Sequence, residues 1–419
     1  MTTAKRRPVP PTLEIDQLLK DPEIKVIVTC GSGGVGKTTT AAALALRAAE
    51  QGRNVVVLTI DPARRLAQSL GLSQLDNTPR RVPGVGRPDG ARGTAAAQPD
   101  DVNFRAASSN IVGTGSDVGT GALLAMMLDM KRTFDDVVSA HTTPEKAEQV
   151  FANPFYQSLS ASFAGTQEYM AMEKLSQLRD QLVANGEWDL IVVDTPPSRS
   201  ALDFLDAPQR LGRFLDGRMI RLLTAPARAG GKAYLKVVSA GFSVFGKVLT
   251  KILGNDLLSN VSAFVASLET MFGGFRERAD QTYELLKAPD TAFIVVASPE
   301  PDALREASFF VERLQQEQMP LAGVVLNRLR TVAEGLSGQG ASAAAERLAE
   351  LDEQTAATRL AAAALSVHVE SAEAAMHDQA MITRFAAAHP DVAQRGVPAL
   401  PTDVHDLAGL RTVGESLAG

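Results

Sequence analysis

Apolar positions along this chain fall into short continuous runs and longer helical stripes, and their order predicts the architecture. Lys25–Thr29 (KVIVT), Val55–Ile60 (VVVLTI), Leu190–Val193, Phe293–Ala297 and Val324–Leu326 are continuous and rich in β-branched residues, as strands covered on both faces require. Between the first two lies the Ala/Leu-rich stretch Lys37–Gln51, stopped by Gly52, which predicts a helix and completes a βαβ unit. The alternation predicts an α/β fold with an open, mostly parallel sheet flanked by helices. Leu205–Leu286 interrupts it as an inserted α-helical subdomain: Val238, Phe242, Phe245, Leu249 and Ile252, then Leu257, Val261, Phe264, Leu268, Phe272 and Phe275, recur at threes and fours and make two apolar faces. Thr78–Thr120 lacks periodicity and is rich in Gly, Pro, Ala and Asp, so a flexible surface loop is expected there.

Shorter signals complete the division. A brief helix is expected around Leu13–Leu19, another through Ala341–Ala364, and a last one near Leu407–Leu417 after a Pro398–Pro401 loop. The chain then reads as a tail (1–23), a first core segment (24–77), the loop (78–120), a helical insert (121–160) carrying Met126, Met127 and Met130, a second core segment (161–204), the apolar helical subdomain (205–286) and a C-terminal core segment (287–419).

Composition narrows the possible functions. A chain of 419 residues with 45% hydrophobic and 21% charged residues is ordinary for a folded protein, and a net charge of −6 gives no general attraction to nucleic acid. Cys30 is the only cysteine, which excludes an intrachain disulfide and any multi-cysteine metal cage. The start, MTTAKRRPVPPTLEID, has no apolar core of a secretory signal. No apolar run reaches the roughly 18–20 residues of a bilayer span, because Lys236, Lys247, Asp256 and Glu269 break the longest ones. A cytoplasmic protein is expected.

The chemistry concentrates after the first strand. Gly31-Ser32-Gly33-Gly34-Val35-Gly36-Lys37-Thr38, followed by Thr39, fits G-x-x-x-x-G-K-[ST] between a predicted strand and a predicted helix. The glycines let backbone N–H groups curl around phosphate oxygens, and the helix N-terminus adds partial positive charge. Lys37 brings a full charge to the β/γ-phosphates, and the Thr38 hydroxyl is placed to ligate Mg²⁺, so ATP and magnesium are the expected cofactors.

The run GSGGVGKTTT resembles the deviant phosphate loop of the nucleotide-sandwich ATPases. With VVVLTIDPA, Leu128–Val138 (LDMKRTFDDVV), Ala164–Leu175 (AGTQEYMAMEKL), Ile191–Leu205 (IVVDTPPSRSALDFL) and Val397–Leu407 (VPALPTDVHDL), the chain is similar to the arsenical-pump and tail-anchored-protein-targeting ATPases. The Ala/Arg-rich, Lys-poor composition suggests a bacterial, actinobacterial-type member. By this resemblance Asp61 is the switch I residue that orients the attacking water, though an Asp before Pro62 also suits a helix cap. Asp194 is the switch II carboxylate that holds the Mg²⁺ shell through water, with a strand-end turn as the plain alternative. Asn327 reads adenine unless it is only a turn former, and Pro398 and Pro401 belong to a loop that stacks on the base.

Two departures matter. Ser32 stands where the family has the lysine that reaches a partner's ATP, and Arg199 and Ser200 stand where it usually has glycine and histidine. A heterodimer with a lysine-bearing paralogue would restore the missing charge. In a homodimer, Arg64, Arg65 or Arg199 would have to replace it. One cysteine leaves arsenite capture and a zinc bridge without ligands. The apolar helices are either an ordinary helical core, a dimer interface or a groove for a hydrophobic-helix client. The basic run Arg210–Lys251 suits either a solvated face or a peripheral position at an anionic membrane. The resemblance thus implies an ATP-driven dimeric switch. Its alternatives are the energising subunit of a membrane anion transporter and a regulatory subunit that binds ATP without turning it over.

Overall fold

The computed structural model describes residues 10–61, 65–86, 121–140, 142–153, 156–157, 166–186, 188–196, 281, 283–333, 335–351 and 355–419. The two apolar stripes of 205–286, the basic run 210–251, Arg64, Arg199, Ser200 and residues 87–120 of the expected loop lie outside them.

The elements follow in the order α1 (Ile15–Lys20), β1 (Val26–Cys30), α2 (Lys37–Glu50), β2 (Val55–Thr59), α3 (Arg65–Ser69), β3 (Arg80–Arg81), β4 (Leu123–Met127), α4 (Met130–Ala140) and α5 (Pro144–Phe151). They continue with α6 (Thr166–Asn185), β5 (Leu190–Asp194), β6 (Thr291–Ala297), α7 (Pro301–Gln316), β7 (Leu321–Leu329), α8 (Gly338–Ala349), α9 (Ala356–Ala388), β8 (Gln394–Pro398) and α10 (Leu407–Ala418). The sheet has eight strands in the order β3-β4-β2-β5-β1-β6-β7-β8. Its pairs are parallel except for β3, which runs antiparallel to β4.

Strands buried on both faces explain why the sequence shows runs rather than alternation. Along β1, Val26, Val28 and Cys30 face one core with Phe134, Leu175 and Phe310, while Ile27 faces the other with Leu44 and Leu410. The second core is formed largely by α2, whose Ala41–Ala45 stretch has no exposed surface. Small side chains let α2 lie flat between the sheet and α10. There a Cβ on Gly414 would stand 3.6 Å from the Ala43 carbonyl oxygen.

Four expectations are corrected. Leu123–Met127, read as the start of a helical insert, is a buried strand that pairs in parallel with β2. Leucine, alanine and methionine favour helices, but the slot beside β2 demands an extended, wholly apolar segment, and tertiary burial overrides the weak local preference. Met126 is therefore a fully buried sheet residue and not part of a helical insert, and Met130 opens α4. Within the expected loop, Arg80–Arg81 adds a short strand, and Val82 and Val85 are buried. Within the expected tail, Leu13, Ile15 and Leu19 are buried as well. The single helix read through Ala341–Ala364 is two, divided before Thr355, whose hydroxyl accepts the Thr358 N–H as an N-cap of α9.

Candidate nucleotide site

The glycine loop leaves the C-terminal end of β1, a central strand with parallel neighbours β5 and β6 on either side. Its close fit needs glycine at two places. Gly31 has φ 146° and would drive a Cβ to 2.1 Å from the Val296 carbonyl oxygen; Gly36 has φ 96° and lies as close as 2.3 Å, by the same measure, to the Asn327 amide nitrogen. Gly36 is also the N-cap of α2, and no side chain bonds to the first-turn N–H groups there. Those groups point toward the loop's concavity and suit an anion.

Lys37 is buried, and its ammonium donates to the Ser32 carbonyl oxygen at 2.7 Å. Burial lowers its pKa, while Asp194, Cys30 and Asp61 act in the opposite sense. Cys30 packs beneath the loop with its thiol pushed up to about 12 by burial, so it is a core residue and not a nucleophile. The Ser32 side chain is buried too, and its hydroxyl has no hydrogen-bond partner among the described residues.

Asp194 ends β5 with no exposed surface. One carboxylate oxygen accepts from the Thr38 hydroxyl at 2.7 Å and from the Thr59 hydroxyl at 2.9 Å. Oδ1 has no partner. Burial pushes its pKa up to about 6, against the lowering effect of the two hydroxyls and Lys37. Thr59 also accepts the Asp61 N–H at 3.2 Å, so the ends of β2 and β5 and the start of α2 meet around one carboxylate. An orphaned carboxylate oxygen beside a threonine hydroxyl at the end of a phosphate loop fits the outer shell of a magnesium ion.

Beside the loop lies a cavity of about 650 Å³. Gly36, Thr38 and Thr39 form one wall, and Arg65, Gln68 and Ser69 of α3 another. Asn327, Arg328 and the segment Pro398–Leu400 with Thr402–His405 close the far end. Asn327 is brought there by an irregularity in β7: Leu326 pairs with Gly396 and Leu329 with Pro398, so two residues face one. Arg328 takes the strain, with φ 61°. Asn327 donates to the Val35 carbonyl oxygen at 2.8 Å, under the loop.

Of the residues singled out from sequence, the structure brings Lys37, Thr38, Asp61 and Asp194 into one cluster, and Thr39, Asn327 and Pro398 into the adjoining cavity. Pro401 lies in the same loop but does not line the cavity, whereas its neighbours Leu400 and Thr402 do. Sequence reasoning missed Thr59, Gln68, Ser69, Arg328 and His405. Thr59 carries a usable signal, being the one hydroxyl in an otherwise apolar strand, VVVLT. For Arg328 there is none, since its backbone strain depends on the pairing of β7 with β8.

Strand, glycine loop and uncapped helix, with a strand-end aspartate bonded to the loop threonine, define a P-loop nucleoside triphosphatase. The chain belongs to the family described as Anion-transporting ATPase, which matches residues 24–84 and 120–351. It is thus an ATPase of that family. It is similar to ATPase GET3B of Arabidopsis thaliana, with 27% identity over 320 residues, covering 75% of this chain and 67% of the relative. It is similar also to ATPase get3 of Schizosaccharomyces pombe, with 24% identity over 327 residues, covering 77% of this chain and 78% of the relative. ATPase GET3C of Arabidopsis thaliana gives 24% over 303 residues, covering 71% and 65%.

Proposed function

We propose that this ATPase is a dimeric switch that hydrolyses Mg-ATP and passes nucleotide state to the apolar segment 205–286, which acts on a membrane-related client carrying a hydrophobic helix. The observation that carries the reading is the carboxylate of Asp194, bonded to Thr38 and Thr59 through one oxygen and left with Oδ1 unpaired. In this reading Lys37 exchanges the Ser32 carbonyl for the β/γ-phosphates, and the first-turn N–H groups of α2 hold the remaining phosphate oxygens. Asp194 and Thr38 would hold magnesium, Asp194 through water, and the ion would neutralise charge on the phosphates when bound. Asp61, tied to Thr59 through its N–H, orients the attacking water. Asn327 and Pro398, with Pro401 in the same loop, take the base.

Ser32 presents a buried hydroxyl and no cation. A partner subunit bearing a lysine at that position would supply the charge to this chain's site, and we assign the working form to such a heterodimer in the cytoplasm. Native mass spectrometry in Mg-ATP from the source cells tests this: a paralogue in the complex supports it, and a homodimer with two nucleotides overturns it. Within the active complex, Asp61→Asn should keep ATP affinity within about twofold and lower turnover by at least a hundredfold. Unchanged turnover would remove Asp61 from the mechanism.

Two other readings each rest on one observation. The family description favours an energising subunit of a membrane anion transporter, which recovery of an integral membrane protein with the Mg-ATP form would support. Ser32 favours a regulatory subunit that binds ATP without turnover; single-turnover hydrolysis in this chain's own site would eliminate it.

A further inference from the structure

The family match ends at residue 351, yet a buried carboxylate well beyond it touches the strand that builds the nucleotide cavity. Asp378 lies on the inner face of α9 and is only 2% exposed. Its Oδ2 accepts the main-chain N–H of Arg330 at 3.1 Å, and its Oδ1 lies 3.5 Å from the Arg330 guanidinium without a hydrogen bond. A buried carboxylate with one full hydrogen bond is costly, and a fold that only needed α9 packed on the sheet would place an apolar residue there.

What Asp378 holds is the exit from the β7 irregularity. Arg330 follows Leu329, whose carbonyl accepts the Ala399 N–H at 2.8 Å and so fixes the segment after Pro398. It comes two residues after Arg328, the strained position, and three after Asn327. All of these except Leu329 and Arg330 line the cavity. The Arg330 amide is therefore the anchor for the bend that turns Asn327 and Arg328 toward the ligand. The phosphate loop meets Asn327 through the Val35 carbonyl, but it has further supports in the Lys37–Ser32 contact and the packing of Gly31 on Val296.

We propose that Asp378 is a positioning residue of the nucleotide site, acting through the Arg330 amide more strongly on the base end of the cavity than on the phosphate end. The inference rests on the nucleotide site read above. Isothermal titration of the full chain with ADP and with inorganic pyrophosphate tests it. Asp378→Ala should weaken ADP about tenfold, as when the binding-competent bend is formed in about a tenth of the molecules, and change pyrophosphate affinity by less than about twofold. Asp378→Asn, which keeps an acceptor oxygen, should recover most of the ADP affinity. If the alanine variant does not fold, Asp378→Ser, too short to reach the amide, replaces it with the same expectation. Equal weakening of ADP and pyrophosphate, or unchanged ADP affinity in a folded variant, would overturn the role of Asp378. A wild-type chain that binds pyrophosphate but not ADP would refute the base pocket itself and this inference with it.

Discussion

Asp194 shows at the scale of one residue how burial prepares a site for a charge it does not yet hold. Its folded pKa, raised from the ordinary 3.8 to about 6, means the native chain binds the proton more tightly than the unfolded one. Stability from this group is complete below about pH 3.8 and is lost as pH rises through about 6. Asp194→Asn should therefore become more stable than the wild-type chain, without ligand, as pH rises from 4 to 7, which urea unfolding at each pH would measure. A cation favours the ionised form, so affinity for Mg-ADP over ADP alone should rise with pH up to about 6 and then level off. Gly36 makes a second argument at this scale. A methyl group there meets both φ 96° and the Asn327 amide, which would have to leave the Val35 carbonyl. Gly36→Ala should cost about 1–3 kcal/mol and weaken nucleotide binding, as read by urea unfolding and titration.

Elements are held in register at the end of the sheet opposite the site by Arg53. From the turn between α2 and β2 its guanidinium donates to the Leu19, Asp21, Ile24 and Asp189 carbonyls and pairs with the Asp189 carboxylate at 2.7 Å. The Arg53 side chain is 11% exposed but the Asp189 side chain is 43% exposed, so the bonds to the Leu19, Ile24 and Asp189 carbonyls are better shielded than the ion pair. One residue thus joins α1, the approach to β1 and the approach to β5. Arg53→Met keeps the apolar stem and strands the acceptors, with an expected loss of about 2–4 kcal/mol in urea unfolding. A loss below about 0.5 kcal/mol would show that solvent replaces these bonds.

Whole-molecule arguments concern the sheet's two edges. At one, β3 is only two residues long, a common way of blunting an edge. At the other, β8 is covered by the segment before α1: the Leu13 N–H donates to the Gln394 carbonyl, the Gln394 N–H to the Pro11 carbonyl, and Arg395 bonds the Leu13 carbonyl at 3.1 Å. Removing residues 1–14 should lower the melting temperature and cause association beyond that of the intact chain, detectable by sedimentation velocity. Among the described residues no helix is long and apolar enough to cross a membrane.

The phosphate loop, β1, α2, β2, β5 and the aspartates at the ends of β2 and β5 were legible in the sequence because local rules govern them. Continuous apolar runs mark doubly covered strands, and glycine and lysine spacing marks an anion loop. β4 and β8 were not legible, because LLAMM and QRGVP carry no decisive local preference and owe their state to the strand they pair with; the short helix at 15–20 was legible, but the burial of Leu13, Ile15 and Leu19 was not. The same holds for Arg328, strained only because β7 meets β8 out of step, and for Asp378, whose partner amide is 48 residues earlier in the chain. The class of chemistry follows from residue type and spacing alone, since these suffice to grip a phosphate. Which side chains line the cavity beside the phosphate loop follows from the fold, since those groups come from segments far apart in the chain and their positions are set by strand pairing and burial.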